Sequence, residues 1–268
     1  MATPSARQWH LGPALLLMLL CSALVVAAIV LPLLQMVMAP TLEDMLAALK
    51  DRDVMRAIGL SMKTAGMAGG IALVIGTPFA YLLARKHFRG KRLVESIVDL
   101  PIMIPHPIIG IALLSLAGKG HWLGDLFRDL GIQVMGTETG IVAVMTFVGL
   151  PFYINAAKAG FEAVPRRLEH VSRSLGASLG ATFFRVTLPL AWRAMLAGCI
   201  MCIARAVSEF GAIIIVAYHP MVAPVMIYER FTAYGLRFSQ PVAVWLILVS
   251  LLLFAVLRIV SVQGGARR

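Results

Sequence analysis

Residues 11–38 read LGPALLLMLLCSALVVAAIVLPLLQMVM, an apolar run without a single charged side chain. A bilayer core takes about 20 such residues as one helix, so this run is long enough to cross it. Arg7 precedes the run, as a basic residue precedes the apolar segment of a signal peptide. The run is too long for that role, and Leu20 before Cys21 is not the small residue that a lipoprotein cleavage box needs. An uncleaved first span is expected. The rest of the chain has the same character: of 268 residues, 60% are hydrophobic and 14% charged, with a mean hydropathy of +0.87. Globular averages are about 45–50% apolar and about 25% charged. A soluble domain of this size has too little interior to hide so much apolar surface. Composition therefore excludes a soluble enzyme, a disordered chain and a disulfide scaffold, and predicts an all-α, polytopic membrane protein.

Five further apolar runs follow, near Ile58–Ala84, Ile97–Ala117, Gly140–Ala159, Ala194–Ala217 and Pro241–Val260. Six transmembrane helices are expected, with both termini on one side. Between Thr41 and Ile58 the pattern changes. Leu42, Met45, Leu46 and Leu49 fall on one helical face and Glu43, Asp44, Lys50 and Asp51 elsewhere. Thr41 with Asp44 resembles a capping box, so this stretch reads as an amphipathic helix at or outside the interface. The second and third spans carry breaks. Gly66, Gly69, Gly70, Gly76 and Pro78 lie in one, and Pro101, Pro105 and Pro107 in the other. Gly66 and Gly70 form a G-x-x-x-G pair, which permits close helix approach in lipid. Interrupted helices are tolerated where the freed carbonyls line a cavity or pack on protein, so the breaks mark either kinked packing or a pathway.

The formal charge is +11, from 24 Lys+Arg and 13 Asp+Glu. With the N-terminus inside, fifteen of the basic residues fall in inner segments, seven in outer segments, and Lys63 and Arg205 within spans. The inner set includes Arg85, Lys86, Arg89, Lys91 and Arg92. This bias predicts both termini in the cytoplasm of a cell (inner) membrane protein. Dispersal of the positives over loops also argues against nucleic acid as a partner. Cys21, Cys199 and Cys202 all lie in apolar runs. Cys199 and Cys202 have C-x-x-C spacing but no second pair or nearby His to complete a metal site, so all three read as packed thiols.

No G-x-x-x-x-G-K-[ST], H-E-x-x-H or G-x-S-x-G occurs in the chain, and its six His residues are scattered. No cofactor, metal or catalytic group is expected, and the chain is not expected to be an enzyme. Energy for active transport must come from a partner or an ion gradient.

The segment between the fourth and fifth spans, residues 161–193, reads FEAVPRRLEHVSRSLGASLGATFFRVTLPLAWR. Pro165 suits the first turn of a helix. Leu168, Val171, Leu175 and Leu179 recur at helical spacing with charged residues opposite, and Gly176 and Gly180 interrupt. An apolar stripe here docks either on a protein partner or on the membrane face. The segment resembles the cytoplasmic signature loop of permease subunits from type I, binding-protein-dependent ABC importers. In that family a Glu-Ala-Ala is followed by a Gly six residues after the Glu, and by Ile-x-Leu-Pro ten residues beyond the Gly. Here Gly176 is followed at that distance by Val186-Thr187-Leu188-Pro189, while His170-Val171-Ser172 replaces the triplet and Glu169 lies one place earlier. The resemblance implies that Leu168, Glu169, His170, Val171, Ser172, Arg173, Ser174, Leu175, Gly176, Ala177 and Ser178 form a coupling helix that docks on an ATPase subunit, with Leu188 and Pro189 closing the motif. Residues 76–85, GTPFAYLLAR, and Leu100-Pro101 with Pro105 and Pro107 are similar to further family segments. The likeness covers about residues 58–260. It implies residues 1–56 as a first span plus amphipathic helix, 57–261 as the transmembrane domain and 262–268 as a short tail.

Within the fifth span and its outer loop, ARAVSEFGA (204–212) and YERFTAYGL (228–236) look like the molybdate/tungstate branch of that family. The first also resembles other oxyanion permeases. The resemblance implies ATP-driven import of molybdate or tungstate by alternating access. Its partners would be two ATPase copies, a periplasmic oxyanion-binding protein and a second copy of this chain. Sulfate, thiosulfate or another oxyanion is the alternative cargo. An ion-coupled carrier should show internal repeats and midplane ion ligands, and neither is visible. Charge inside a span needs a reason. Arg205 and Glu209 are spaced i,i+4 and either lock helices as an ion pair or, with Ser208 and Lys63, form part of a weakly positive pathway or gate. Lys63 could instead extend outward to the interface.

Overall fold

The computed structural model describes residues 13–118 and 120–263. Arg7, Lys119 and most of the 262–268 tail, with Arg267 and Arg268, lie outside the described residues. Every regular element among the described residues is helical. In chain order these are α1 (Pro13–Met38), α2 (Leu42–Lys50), α3 (Arg52–Arg85), α4 (Lys91–Met103), α5 (His106–Ala117), α6 (Trp122–Asp129), α7 (Glu138–Ala163), α8 (Arg166–Ser174) and α9 (Leu179–Thr182). A π-helical stretch, Phe183–Thr187, leads into α10 (Leu188–Val207). It is followed by α11 (Ile213–Val216), α12 (Ala223–Tyr234) and α13 (Leu236–Gln263).

Five of the helical segments are long and apolar enough to cross a membrane, and α4 with α5, bent by 111° at their break, count as a sixth when taken together as one broken span. The third expected span is therefore not straight. Its helix stops at Met103, because Pro105 lacks the N–H needed to continue, and Pro107 reinforces the break. The fifth also differs. α10 ends at Val207 rather than near Ala217, and the chain unwinds over 208–212 before the single turn of α11. The second span begins earlier than Ile58. The expected Thr41–Ile58 helix ends at Lys50, and Asp51 restarts the chain by accepting from the N–H groups of Asp53 and Val54. The Thr41–Asp44 capping box is present, with reciprocal bonds of 3.1 and 3.3 Å.

The core is a stack of α3, α7 and α10. Small residues let the backbones approach. A Cβ on Gly149 would lie 2.6 Å from Cys202 Sγ, and one on Gly198 would lie 3.1 Å from the Tyr153 carbonyl. Gly66 and Gly70, the expected close-contact pair, face open space instead. The approach runs one residue away, where a Cβ on Gly69 would meet Ile203. Tyr153 is fully buried and shares a hydrogen bond of 2.5 Å with Thr77. Leucines and valines of α1 and α13 are exposed along the outside. Such surface is stable against lipid but not against water.

Candidate functional site

At one end of the bundle, α8 projects as a nine-residue amphipathic helix with no buried residue. Leu168 (43% exposed), Val171 (51%) and Leu175 (84%) form its apolar stripe, and Leu179 beyond it is exposed too. His170, Arg173 and Ser174 are also exposed. Helix α8 is shorter than the expected Leu168–Ser178. It starts at Arg166 and stops at Ser174 because Gly176 takes a left-handed conformation, φ 91°. The N–H of Gly176 bonds to the Arg173 carbonyl and that of Ala177 to the Ser172 carbonyl, as at a glycine-terminated helix. Ser178 then caps α9, accepting from the Ala181 N–H.

The inward side of α8 is polar. Glu169 Oε1 accepts from Arg85 Nε at 3.0 Å, Arg85 Nη2 at 2.8 Å and Thr187 Oγ1 at 2.8 Å. Arg85 Nη2 also donates to the Val164 carbonyl at 3.0 Å. The two charged side chains are 9% and 13% exposed. In the sequence Glu169 stands one place away from a motif slot, and Arg85 is one of many loop positives. Their partnership spans 84 positions, so no local spacing could reveal it. Leu188 and Pro189, half-buried, open α10 directly after Thr187.

A second polar cluster sits where the two broken spans meet. Arg205 Nη2 lies 2.7 Å from Glu209 Oε2, as the i,i+4 spacing predicts. His106, at the start of α5, completes it. Its Nδ1 is 2.6 Å from Glu209 Oε2, and its Nε2 is 2.8 Å from Arg205 Nη2. Arg205 Nη2 also lies 2.5 Å from His106 Nδ1, so the imidazole touches both members of the ion pair. Glu209 Oε1 accepts from the Ala212 N–H at 3.0 Å and thereby caps the unwound turn. Ser208 receives a hydrogen bond from Arg205 Nη1 at 3.1 Å and is exposed. The backbones are also in close contact, since a Cβ on Gly211 would lie 2.9 Å from His106 Cβ. Glu209 is 1% exposed. Each of its two oxygens has a hydrogen-bond partner, as a polar group this buried requires.

Lys63 does not join this cluster. It pairs with Glu138 at 2.5 Å, and both are about half exposed. They line an open cavity of about 740 Å³ at the end of the bundle away from α8, together with Arg56, His219, Glu229 and Arg230. Beside it Arg230 Nη2 reaches Asp51 Oδ2 at 2.5 Å. Burial raises the Asp51 pKa, but the Arg230 hydrogen bond and the Asp53 N–H outweigh it and hold the carboxyl below its ordinary 3.8. Among the described residues no group of His, Cys, Asp and Glu is placed to hold a metal ion.

Residues 76–264 match the model of the family described as binding-protein-dependent transport system inner membrane component. The chain is 44% identical over 238 residues to the molybdate/tungstate transport system permease protein WtpB of Pyrococcus furiosus, covering 88% of this chain and 90% of that one. It is 46% identical to WtpB of Pyrococcus abyssi over 205 residues, 76% of this chain and 77% of that one. Identity to the sulfate transport system permease protein CysT of Synechocystis is 32% over 208 residues, 76% and 72% of the two chains. Among solved structures, a bacterial ABC transporter that imports the acidic polysaccharide alginate superposes with a TM-score of 0.70 at 18% identity, covering 94% of this chain and 96% of that one. A helical bundle with a bent third span, a solvent-facing α8 and this extent of sequence identity leads to one conclusion: the chain is a multi-pass membrane protein belonging to the family of binding-protein-dependent transport system inner membrane components.

Proposed function

We propose that the chain is the membrane-spanning subunit of an ATP-driven importer that carries molybdate or tungstate. The observation that carries this reading is identity of 41–46% to four molybdate/tungstate permeases, against 32% to a sulfate permease. The chain has no phosphate-binding loop, so nucleotide must be hydrolysed on another subunit. Helix α8 and its following turn, residues 168–178, dock there. The exposed Leu168, Val171 and Leu175 supply the apolar contact that an amphipathic helix makes in a groove. Two ATPase copies dock on two copies of this chain, and a periplasmic oxyanion-binding protein delivers cargo to the opposite face. Both termini and α8 lie in the cytoplasm of an inner-membrane protein, consistent with the basic bias of the segments on that side.

Cargo then moves as nucleotide binding shifts the pair of bundles between two states with different contacts. Arg205, Ser208 and Glu209 occupy the meeting point of two broken spans and serve as the gate. Lys63, paired with Glu138, belongs to the outer vestibule. The test is reconstitution of the chain with its ATPase and binding protein in ATP-loaded vesicles, followed by competition between tungstate and sulfate for uptake. Tungstate uptake resisting a tenfold excess of sulfate is expected. Equal competition would move the cargo to sulfate, and uptake without the ATPase subunit would remove the ABC reading altogether.

A further inference from the structure

Helix α8 has no fully buried residue, and its apolar side chains Leu168, Val171 and Leu175 remain about half exposed or more. Its attachments are polar. The chief one is the oxygen Glu169 Oε1, which receives donors from two separate elements: Arg85 in the last turn of α3, and Thr187 at the end of the π-helical stretch that runs into α10. A weaker contact joins Ser172 and Thr182 at 3.1 Å, and Arg166 Nη2 reaches the Arg85 carbonyl at 3.5 Å. Arg85 also holds the Val164 carbonyl at the C-cap of α7. Four elements therefore meet at one guanidinium–carboxylate pair. Two of them are rigid rods that run across the core. α10 carries Arg205 in its last turn, two residues before it gives way to the unwound stretch that holds Glu209, and α3 carries Lys63.

From this geometry we propose that Arg85 and Glu169 are positioning residues, forming a strut that makes α8, α3 and α10 move as one body. The proposal rests on the reading of α8 as the ATPase-docking helix, and says how force leaves it. The pair suits the task. Two N–H groups of one guanidinium edge, Nε and Nη2, converge on the same carboxylate oxygen, which fixes direction as well as distance, and a pair this little exposed is screened weakly by salt. A basic side chain in the last turn of α3 is also favoured by the helix dipole. The docking stripe of Leu168 and Val171 points away from the strut, so removing the strut leaves the ATPase-facing surface in place.

The test uses the full complex in phosphatidylethanolamine–phosphatidylglycerol vesicles. Three quantities are read together: ATPase retained on purification, ATP hydrolysed, and tungstate taken up per ATP. For Arg85→Gln and Glu169→Gln the ATPase stays bound, while uptake per ATP falls on the order of tenfold, within the usual range of coupling between sites. Thr187→Val removes one of the three bonds without stranding a charge and gives a smaller fall. The exchanged pair, Arg85→Glu with Glu169→Arg, recovers part of the loss. Unchanged uptake per ATP in both Gln variants, with ATPase retained, overturns the strut. If those variants do not accumulate in the membrane, Thr187→Val decides alone, and an unchanged ratio there overturns it. Gly176→Val separates this from the underlying reading. Loss of ATPase retention in that variant leaves α8 as the docking helix, whatever Arg85 does. Full retention and coupling there would remove the docking helix itself, and the strut with it.

Discussion

Truncating Arg205 to Ala probes the cluster at the two helix breaks. Glu209 is 1% exposed and has hydrogen-bond partners in Arg205, His106 and the Ala212 N–H. Removing the guanidinium leaves its carboxylate with the His106 imidazole and one amide. Breaking one side of a buried pair costs about 3–5 kcal/mol. The Arg205 side chain is itself 21% exposed, so solvent recovers some of that, and we take about 2–3 kcal/mol. At about 2–4 °C per kcal/mol for a chain of this size, the melting temperature of the detergent-solubilised protein should fall by roughly 4–12 °C. Glu209→Gln should cost less, because a side-chain carbonyl still accepts from Ala212. The double variant Arg205→Met with Glu209→Leu should be milder than Arg205→Ala alone, because an apolar pair of similar volume strands no charge. That non-additivity is the signature of a buried pair. Arg205→Ala melting with the native chain, or single-variant losses that simply add, would refute the cluster as a lock between the breaks.

Gly176 adopts φ 91°, and a Cβ added there would meet nothing within 4 Å, so Gly176→Val is limited by backbone strain alone. It should cost about 1–2 kcal/mol and weaken ATPase binding several-fold, while Gly180→Ala, equally uncrowded but without positive φ, leaves it unchanged in a binding titration. Gly149→Val drives a side chain into Cys202 and should cost about 1–3 kcal/mol in a detergent melt, whereas Gly66→Ala, with open space around it, should be neutral. Asp51 has a lowered pKa, so its pairing with Arg230 stabilises the fold above the ordinary carboxylate value of 3.8 and is lost as pH falls through the lower folded value. The pair is partly exposed, so its worth is below about 1 kcal/mol. Asp51→Asn should narrow the melting difference between pH 6 and pH 3 by that amount, and an unchanged difference would remove the pair from the acid response.

The spans were legible in the sequence because lipid imposes a length and a hydrophobicity on each helix independently of its neighbours. The run at 11–38 could be read without knowing anything else about the chain. Local chemistry was legible for the same reason. Thr41 and Asp44 close a capping box within four residues, and Arg205 and Glu209 meet through one helical turn. The spacing from Gly176 to Leu188-Pro189 carried the family likeness. What failed were features set by distant partners. Gly66 and Gly70 have the spacing of a contact pair, but the rotation of α3 is fixed by packing along its whole length, and that turns Gly69 and Gly76 inward instead. Pro105 signalled a break, yet the 111° bend is set by how α5 seats against α11 and the turn before it. Glu169 found Arg85 and Thr187, and Glu209 found His106, only once separate helices had been brought side by side. A hydrogen bond needs donor and acceptor within about 3 Å, and a linear sequence holds no distances beyond a few turns. The helices and the membrane environment therefore belong to the sequence, whereas the two charged clusters that would bear load and gate passage exist only in the packed bundle.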